Sequence, residues 1–266
     1  MGPGRESLSA EEAALDAALE ALRRCCARAP KPQRLRNRLD FRQESEEARL
    51  LGHPLDVLNE ADLRDYLGEA GNTLDPAELA YFLPRIAEFL AEGRCLNGAG
   101  WFASCNFLRM SGFPERWPDD RAAAMQGFVA AFVAVVGAHP ERYAEASDLH
   151  LGEALIMAAN AGVALEGVLR ALDACAPQRL ARAITIWTEA EVQAWALMDR
   201  DGMLAQIVQS ELWETIAAQT VTQAWLESKR PWDMLAAEAE REQDPEWRER
   251  LKRAASLWTT GPAATA

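Results

Sequence analysis

Apolar residues along this chain recur every three or four positions, which is the spacing of one face of an α-helix. Strict alternation of apolar and polar residues, and runs rich in Val, Ile or Thr, are nearly absent, and both are typical of β-strands. The pattern therefore predicts an all-α fold of about ten helices joined by short loops, arranged as irregular stacked helical hairpins, HEAT-like or as a bundle. No fixed repeat period is visible in the sequence.

Capping residues mark the first helix starts. Ser9 followed by Glu12 is a capping box, and it predicts a helix from about residue 9 to 28. The apolar face of this helix consists of Leu15, Leu19, Leu22 and Cys26. Asn59 is predicted to cap a second helix, because its side chain accepts a hydrogen bond from an otherwise unpaired backbone N–H.

Several further helices follow along the chain. Asp75 and Asp244 each precede a proline, and this pair of residues is a strong helix start. Pro84 is predicted to kink the helix that begins at residue 75, or to divide it. A short apolar helix is predicted over residues 101–110, and another helix from Ser147. Residues 120–136 predict a central helix, because apolar residues cover more than half of its circumference.

These elements suggest three parts packed as one continuous domain. Residues 1–58 would form an N-terminal helix and a basic arm, and residues 59–190 a helical core. Residues 191–266 would form acidic, tryptophan-rich C-terminal helices.

Composition restricts the class of protein and its compartment. The chain has 266 residues, of which 49% are hydrophobic and 26% charged, and this balance excludes a disordered chain. Its longest apolar run, over residues 127–138, is shorter than the roughly 20 residues that a spanning helix needs. No signal-peptide pattern begins the chain, and the five cysteines show no CxxC spacing. A cytoplasmic protein with reduced thiols is expected.

The formal charge of −13 is unevenly distributed. Residues 1–58 hold ten cations and ten acids, so the excess of acid belongs to the rest of the chain. A short N-terminal arm contains eight cations and one acid. The cations are Arg23, Arg24, Arg28, Lys31, Arg34, Arg36, Arg38 and Arg42. This arm is predicted to fold back on the acidic body or to be solvated. Neither nucleic acid nor membrane is predicted as a partner.

Catalytic motifs were sought without a convincing match. The chain lacks a phosphate-binding GxxxxGK[ST] loop, a GxSxG elbow and an HExxH zinc motif. His150 with Glu153, and the adjacent Cys25 and Cys26, are weak metal-ligand candidates, and buried small side chains are the favoured role of the cysteines. No catalytic, cofactor-binding or metal-binding residue is therefore predicted, nor any cofactor.

Tryptophan is concentrated near the C-terminus. Seven of the nine tryptophans lie in the last third of the chain, at positions 187, 195, 213, 225, 232, 247 and 258. One interpretation is that these rings fill a helical core. The more specific alternative is that some of them belong to an interaction surface with an acidic rim. The predicted partner-binding residues are Trp232, Glu238, Glu240, Glu242, Asp244 and Trp247.

One segment carries a family resemblance. Residues 63–67 read Leu-Arg-Asp-Tyr-Leu and residues 77–88 read Ala-Glu-Leu-Ala-Tyr-Phe-Leu-Pro-Arg-Ile-Ala-Glu. This resembles an uncharacterised family of bacterial all-helical proteins with the signature DLxxYxxxA…DFxxFLPRixEl, although residues 70–73 depart from the Thr-Trp-Gly-Asp that the family commonly has. The resemblance implies an all-helical fold and no particular activity. Within the motif, Arg85 is predicted to reach a carbonyl freed by Pro84 or a carboxylate such as Glu88.

Taken together, the sequence favours a non-enzymatic factor that binds a basic protein. The most specific form of this hypothesis is a bacterial immunity or antitoxin-like inhibitor that occludes a basic toxin domain. Two alternatives stay open. One is an enzyme or ligand-binding domain with a pocket between helices, around Trp101, Cys105, Tyr143 and His150. The other is a helical scaffold or regulator.

Overall fold

The computed structural model describes residues 8–35, 44–68, 74–97, 100–147, 149–195 and 216–259. Within these ranges it contains 13 α-helices and no strand, so the prediction of an all-α fold of about ten helices is confirmed. The departure of residues 70–73 from the family signature lies outside the described residues.

Thirteen α-helices lie in the described ranges. They are α1 (Ala10–Cys26), α2 (Glu44–Gly52), α3 (Glu60–Gly68), α4 (Pro76–Ala91), α5 (Asn106–Met110), α6 (Asp119–Ala138), α7 (Pro140–Ser147), α8 (Leu151–Asn160), α9 (Leu165–Asp173), α10 (Pro177–Trp195), α11 (Ile216–Lys229), α12 (Pro231–Arg241) and α13 (Pro245–Thr259). Short 3-10 turns lie at Leu55–Val57 and Trp101–Ala103.

The predicted caps form as expected. The backbone N–H of Ser9 donates to the Glu12 carboxylate at 2.9 Å, and the N–H of Glu12 donates to Oγ of Ser9 at 3.2 Å. Asp75 and Asp244 each accept a hydrogen bond from the backbone N–H two residues further on. The four predicted apolar residues of α1 are the ones that it buries.

Two local predictions were wrong, and at Pro84 one of the two predicted outcomes is excluded. The helix expected from Ser147 begins at Leu151 instead, because α7 extends through Ser147 and Nδ1 of His150 accepts the N–H of Glu153. Residues 101–110 form a 3-10 turn followed by the short helix α5. α4 is not divided at Pro84.

The predicted central helix is α6. It packs against α1, α7, α8, α9 and α10. α6 is the one helix among the described residues that is long and apolar enough to cross a membrane, but 56% of its most apolar window is buried inside the fold. Both properties suit the core helix of a compact helical protein.

The C-terminal helices pack onto α10. α12 and α13 form a hairpin that contacts α10, and α11 lies against α9. α10 itself continues through residue 190, where a soft division was expected. The three-part division stays a prediction.

Three of the clustered tryptophans belong to the core. Trp187, Trp225 and Trp258 are buried. Each indole N–H donates to a side-chain oxygen at 2.8 to 3.2 Å. The interpretation that large rings fill the core is therefore confirmed for these three, while Trp213 lies outside the described residues.

Candidate functional site

Glu242, one of the predicted partner-binding acids, is buried. Its carboxylate accepts hydrogen bonds from Nη2 of Arg182 at 2.8 Å and from the backbone N–H of Asp244 at 3.1 Å. The hydrogen bond from Arg182 is the main cause that lowers the pKa of Glu242 to about 2. The Glu242 carboxylate therefore holds the α12–α13 hairpin to α10.

Trp247 belongs to the same contact. Its ring lies between two guanidinium groups, 4.6 Å from that of Arg182 and 3.9 Å from that of Arg250. Arg250 in turn donates to both carboxylate oxygens of Glu189 on α10, at 3.1 and 2.6 Å. We call Arg182, Glu189, Glu242, Trp247 and Arg250 the hairpin clamp.

The other predicted partner-binding residues differ in exposure. Trp232 is half-buried and packs on the core, and the buried carboxylate of Glu238 forms an ion pair with Arg241 at 2.6 Å. Glu240 and Asp244 are exposed. Residues 216–259 hold eight acids and seven cations, so this surface is nearly neutral. The six-residue assignment stays a prediction, and Glu240 and Asp244 are its exposed carboxylates.

The residues of the alternative pocket meet in a packed core. Rings of Trp101 and Tyr143 lie on Phe132, with centroids 6.2 and 5.9 Å from it. Cys105 is fully buried, and burial raises its pKa to about 12. His150 caps α8 through its Nδ1 atom. Trp101, Cys105 and Tyr143 are buried, and Tyr143 also lines the groove described below.

The metal candidates show no cluster in the described part of the chain. No group of three or more His, Cys, Asp or Glu side chains is placed there to hold an ion. Cys26 is buried, and burial raises its pKa to about 11, which disfavours the thiolate that binds metals. His150 and Glu153 meet through the helix cap described above.

The basic arm is partly bound to the body. Arg23 donates to the Glu88 carboxylate at 2.8 Å, and Lys31 donates to the carbonyl oxygen of His53 at 3.2 Å. The contact of Arg23 with Glu88 is one with the acidic body, as predicted, whereas Lys31 contacts the N-terminal part itself. Residues 36–43 lie outside the described residues.

An open groove of about 400 Å³ runs between α1 and α4, and the sequence did not predict it. Its floor is lined by Leu15 and Leu19 of α1, Val135 of α6 and Tyr143 of α7, and these four side chains are buried in the core. Leu8, directly before α1, lines one end, and its surface is 61% exposed. We call this feature the α1–α4 groove.

Four carboxylates line the groove against two guanidinium groups. Glu12 and Asp16 stand on the α1 side, and Glu88 and Glu92 on the α4 side. The guanidinium of Arg142 is 2.9 Å from Glu12, and that of Arg23 is 2.8 Å from Glu88. On the α1 wall these pairs leave the charge of Asp16, whereas on the α4 wall Glu88 also pairs with Arg85 and Glu92 pairs with Arg94.

The two remaining carboxylates of the groove are the accessible ones. Asp16 is exposed and forms no hydrogen bond or ion pair with the described part of the chain. Glu92 is half exposed and pairs at the surface with Arg94 at 3.0 Å. Since solvent-exposed pairs contribute little, a cation from outside can replace Arg94 at low cost.

Two of the groove carboxylates, Glu12 and Glu88, have lowered pKa values. The backbone N–H of Ser9 donates to the Glu12 carboxylate and is the main cause that lowers its pKa below the ordinary value. Burial alone would raise the pKa of Glu88, but hydrogen bonds from Arg85 and Arg23 outweigh it and lower the pKa. The bond from Arg85 to Glu88 is one that the sequence predicted, whereas the carbonyl that Arg85 reaches is that of Leu58.

Comparison with known proteins adds no relative. No family model, no curated protein and no solved structure matches the chain. The family resemblance of residues 63–88 therefore stays a prediction.

Proposed function

We propose that this chain is a non-enzymatic protein-binding factor that captures a basic partner. The observation that supports it is the α1–α4 groove, where the exposed carboxylates of Asp16 and Glu92 stand on opposite walls. Carboxylates orient and attract a cationic partner. A net charge of −13 adds long-range attraction for the same class of partner.

The specific form of the proposal is an immunity or antitoxin-like inhibitor of a basic toxin domain. Carboxylates of the groove would pair with the cations that the toxin uses to hold its substrate, and the helical body would occlude its active site. This form of the proposal predicts that a neighbouring gene encodes such a toxin, and the test is a one-to-one mixture with that toxin domain. Loss of toxin activity is expected, and an unaffected toxin would contradict this form of the proposal.

Binding of a basic probe tests the broader proposal. The probe is a fluorescein-labelled helical peptide of about 14 lysine and leucine residues, with the leucines on one face. The double variant D16K/E92K should bind it about 10-fold or more weakly than the unchanged chain, because both accessible carboxylates become cations. Fluorescence anisotropy measures the affinity.

A matched variant distinguishes the effect of the groove carboxylates on affinity from the effect of the net charge. E115K/E166K changes the net charge equally, at two exposed acids that do not line the groove. It should retain the affinity within about two-fold. Equal losses in both variants, or no loss in either, would contradict capture by the groove. D16K/E92K is expected to fold, since lysine favours a helix interior more than aspartate and suits a helix C-terminus.

A further inference from the structure

We propose that Arg142 competes with the cations of the basic partner for the α1–α4 groove. Its guanidinium pairs with the Glu12 carboxylate in the free chain, and a lysine or arginine side chain of the partner takes its place on binding. This inference rests on the proposed function and concerns its regulation. It names a contact within the chain that limits the affinity, whereas the capture itself depends on Asp16 and Glu92.

The competing contact joins two helices that are distant in sequence. Nη1 of Arg142, on α7, donates to Oε1 of Glu12, on α1, at 2.9 Å. Both side chains line the groove. The Arg142 side chain is 58% exposed, so water already surrounds much of it. Ion pairs with so exposed a member contribute little to stability, and this one can therefore open at low cost.

Glu12 is held in place independently of Arg142. Its second oxygen, Oε2, accepts the backbone N–H of Ser9 at 2.9 Å in the capping box of α1. This hydrogen bond is also the main cause of the lowered pKa of Glu12, to which the charge of Arg142 contributes less. When Arg142 moves away, the carboxylate therefore keeps both its position and its charge, and it is ready to accept another cation.

The second arginine of the groove differs from Arg142 in this respect. Arg23 donates to the Glu88 carboxylate at 2.8 Å, but Nη1 of Arg85 donates to the same carboxylate at 2.7 Å. Loss of Arg23 would thus leave Glu88 paired. For Glu12, Arg142 is the one ion-pair partner among the described residues. The two arginines therefore form a matched pair, of which only Arg142 masks a carboxylate by itself.

Substitution of Arg142 tests the inference. R142Q should bind the lysine and leucine peptide about five-fold more tightly at about 0.1 M salt, because Glu12 becomes free to pair with a lysine of the peptide. R23Q changes the net charge equally within the same groove and should stay within about two-fold of the unchanged chain. Fluorescence anisotropy measures both affinities. No gain in R142Q, or an equal gain in R23Q, would overturn the inference.

A double variant identifies the group through which Arg142 acts. E12Q removes the charge but keeps the capping box, since glutamine at this position also accepts the backbone N–H of Ser9. E12Q/R142Q should bind the peptide within about two-fold of E12Q alone, because no carboxylate is left for Arg142 to mask. A five-fold gain that persists in the E12Q background would overturn the inference.

The two proposals fail separately. If D16K/E92K loses affinity while R142Q binds like the unchanged chain, the groove captures a basic partner but Arg142 does not compete with it. If D16K/E92K binds like the unchanged chain, the capture of a basic partner through the groove fails, and competition by Arg142 fails with it.

Discussion

Replacement of Gly152 by alanine is expected to lower the free energy of unfolding by about 3 kcal/mol. A Cβ atom at this position would overlap the indole of Trp187, with the ring atom Cδ1 only 2.6 Å away. Trp187 has no exposed surface, so the ring has no space into which it can move. α8 would have to separate from α10, and the core that positions α7 and the groove floor would loosen. Chemical denaturation measures the change.

An equivalent substitution serves as its control. Gly127 lies in α6, and a Cβ atom there would meet nothing within 4 Å. G127A should be neutral or should stabilise the chain by up to about 1 kcal/mol, because alanine favours a helix interior more than glycine. Similar stabilities for G152A and G127A would contradict the close packing of α8 on Trp187.

Replacement of Glu242 by glutamine is expected to lower the free energy of unfolding by about 3 kcal/mol at pH 7. The carboxylate is buried beside Arg182, which holds its pKa at about 2 against an ordinary value of 4.5. Glutamine keeps the shape but loses the charge that Arg182 requires. This result would assign Glu242 to the hairpin clamp and not to a free binding surface.

The difference in free energy of unfolding between E242Q and the unchanged chain is expected to depend on pH. Because the folded pKa is depressed, the stabilisation is fully present above about pH 4.5 and is lost as the pH falls towards 2. The difference should shrink to about 1 kcal/mol at pH 3. E240Q, at an exposed acid, should stay within about 0.5 kcal/mol of the unchanged chain at both pH values. A pH-independent effect of E242Q would contradict the role of the Arg182 pair.

Local patterns were enough to predict the helices. Ser9 with Glu12, and Asp75 with Pro76, act within one helical turn, so their hydrogen bonds are visible in the sequence. The apolar face of α1 was likewise predicted residue by residue, and α6 was predicted as the central helix. Ser147 was misleading because a histidine ring can cap a helix as serine does, and no short pattern distinguished the two positions.

The candidate site could not be predicted in the same way. Asp16 on α1 has the pattern of an ordinary solvated helix face, and Glu88 and Glu92 belong to a different helix far along the chain. Only tertiary packing of α1 against α4 and α6 brings these carboxylates to one groove. The acids near Trp247 show that a cluster in sequence does not give the exposure of its members. Glu240 and Asp244 are exposed, whereas Glu242 is buried and pairs with Arg182.

Zero-length cross-linking of the full chain to the lysine and leucine peptide tests the central claim most directly. A carbodiimide joins a carboxylate to a lysine amine that touches it, and mass spectrometry identifies the carboxylate. Cross-links at Asp16 and Glu92 are expected, with none at Glu240 and Asp244 on the α12–α13 hairpin. Cross-links confined to Glu240 and Asp244 would contradict binding in the α1–α4 groove.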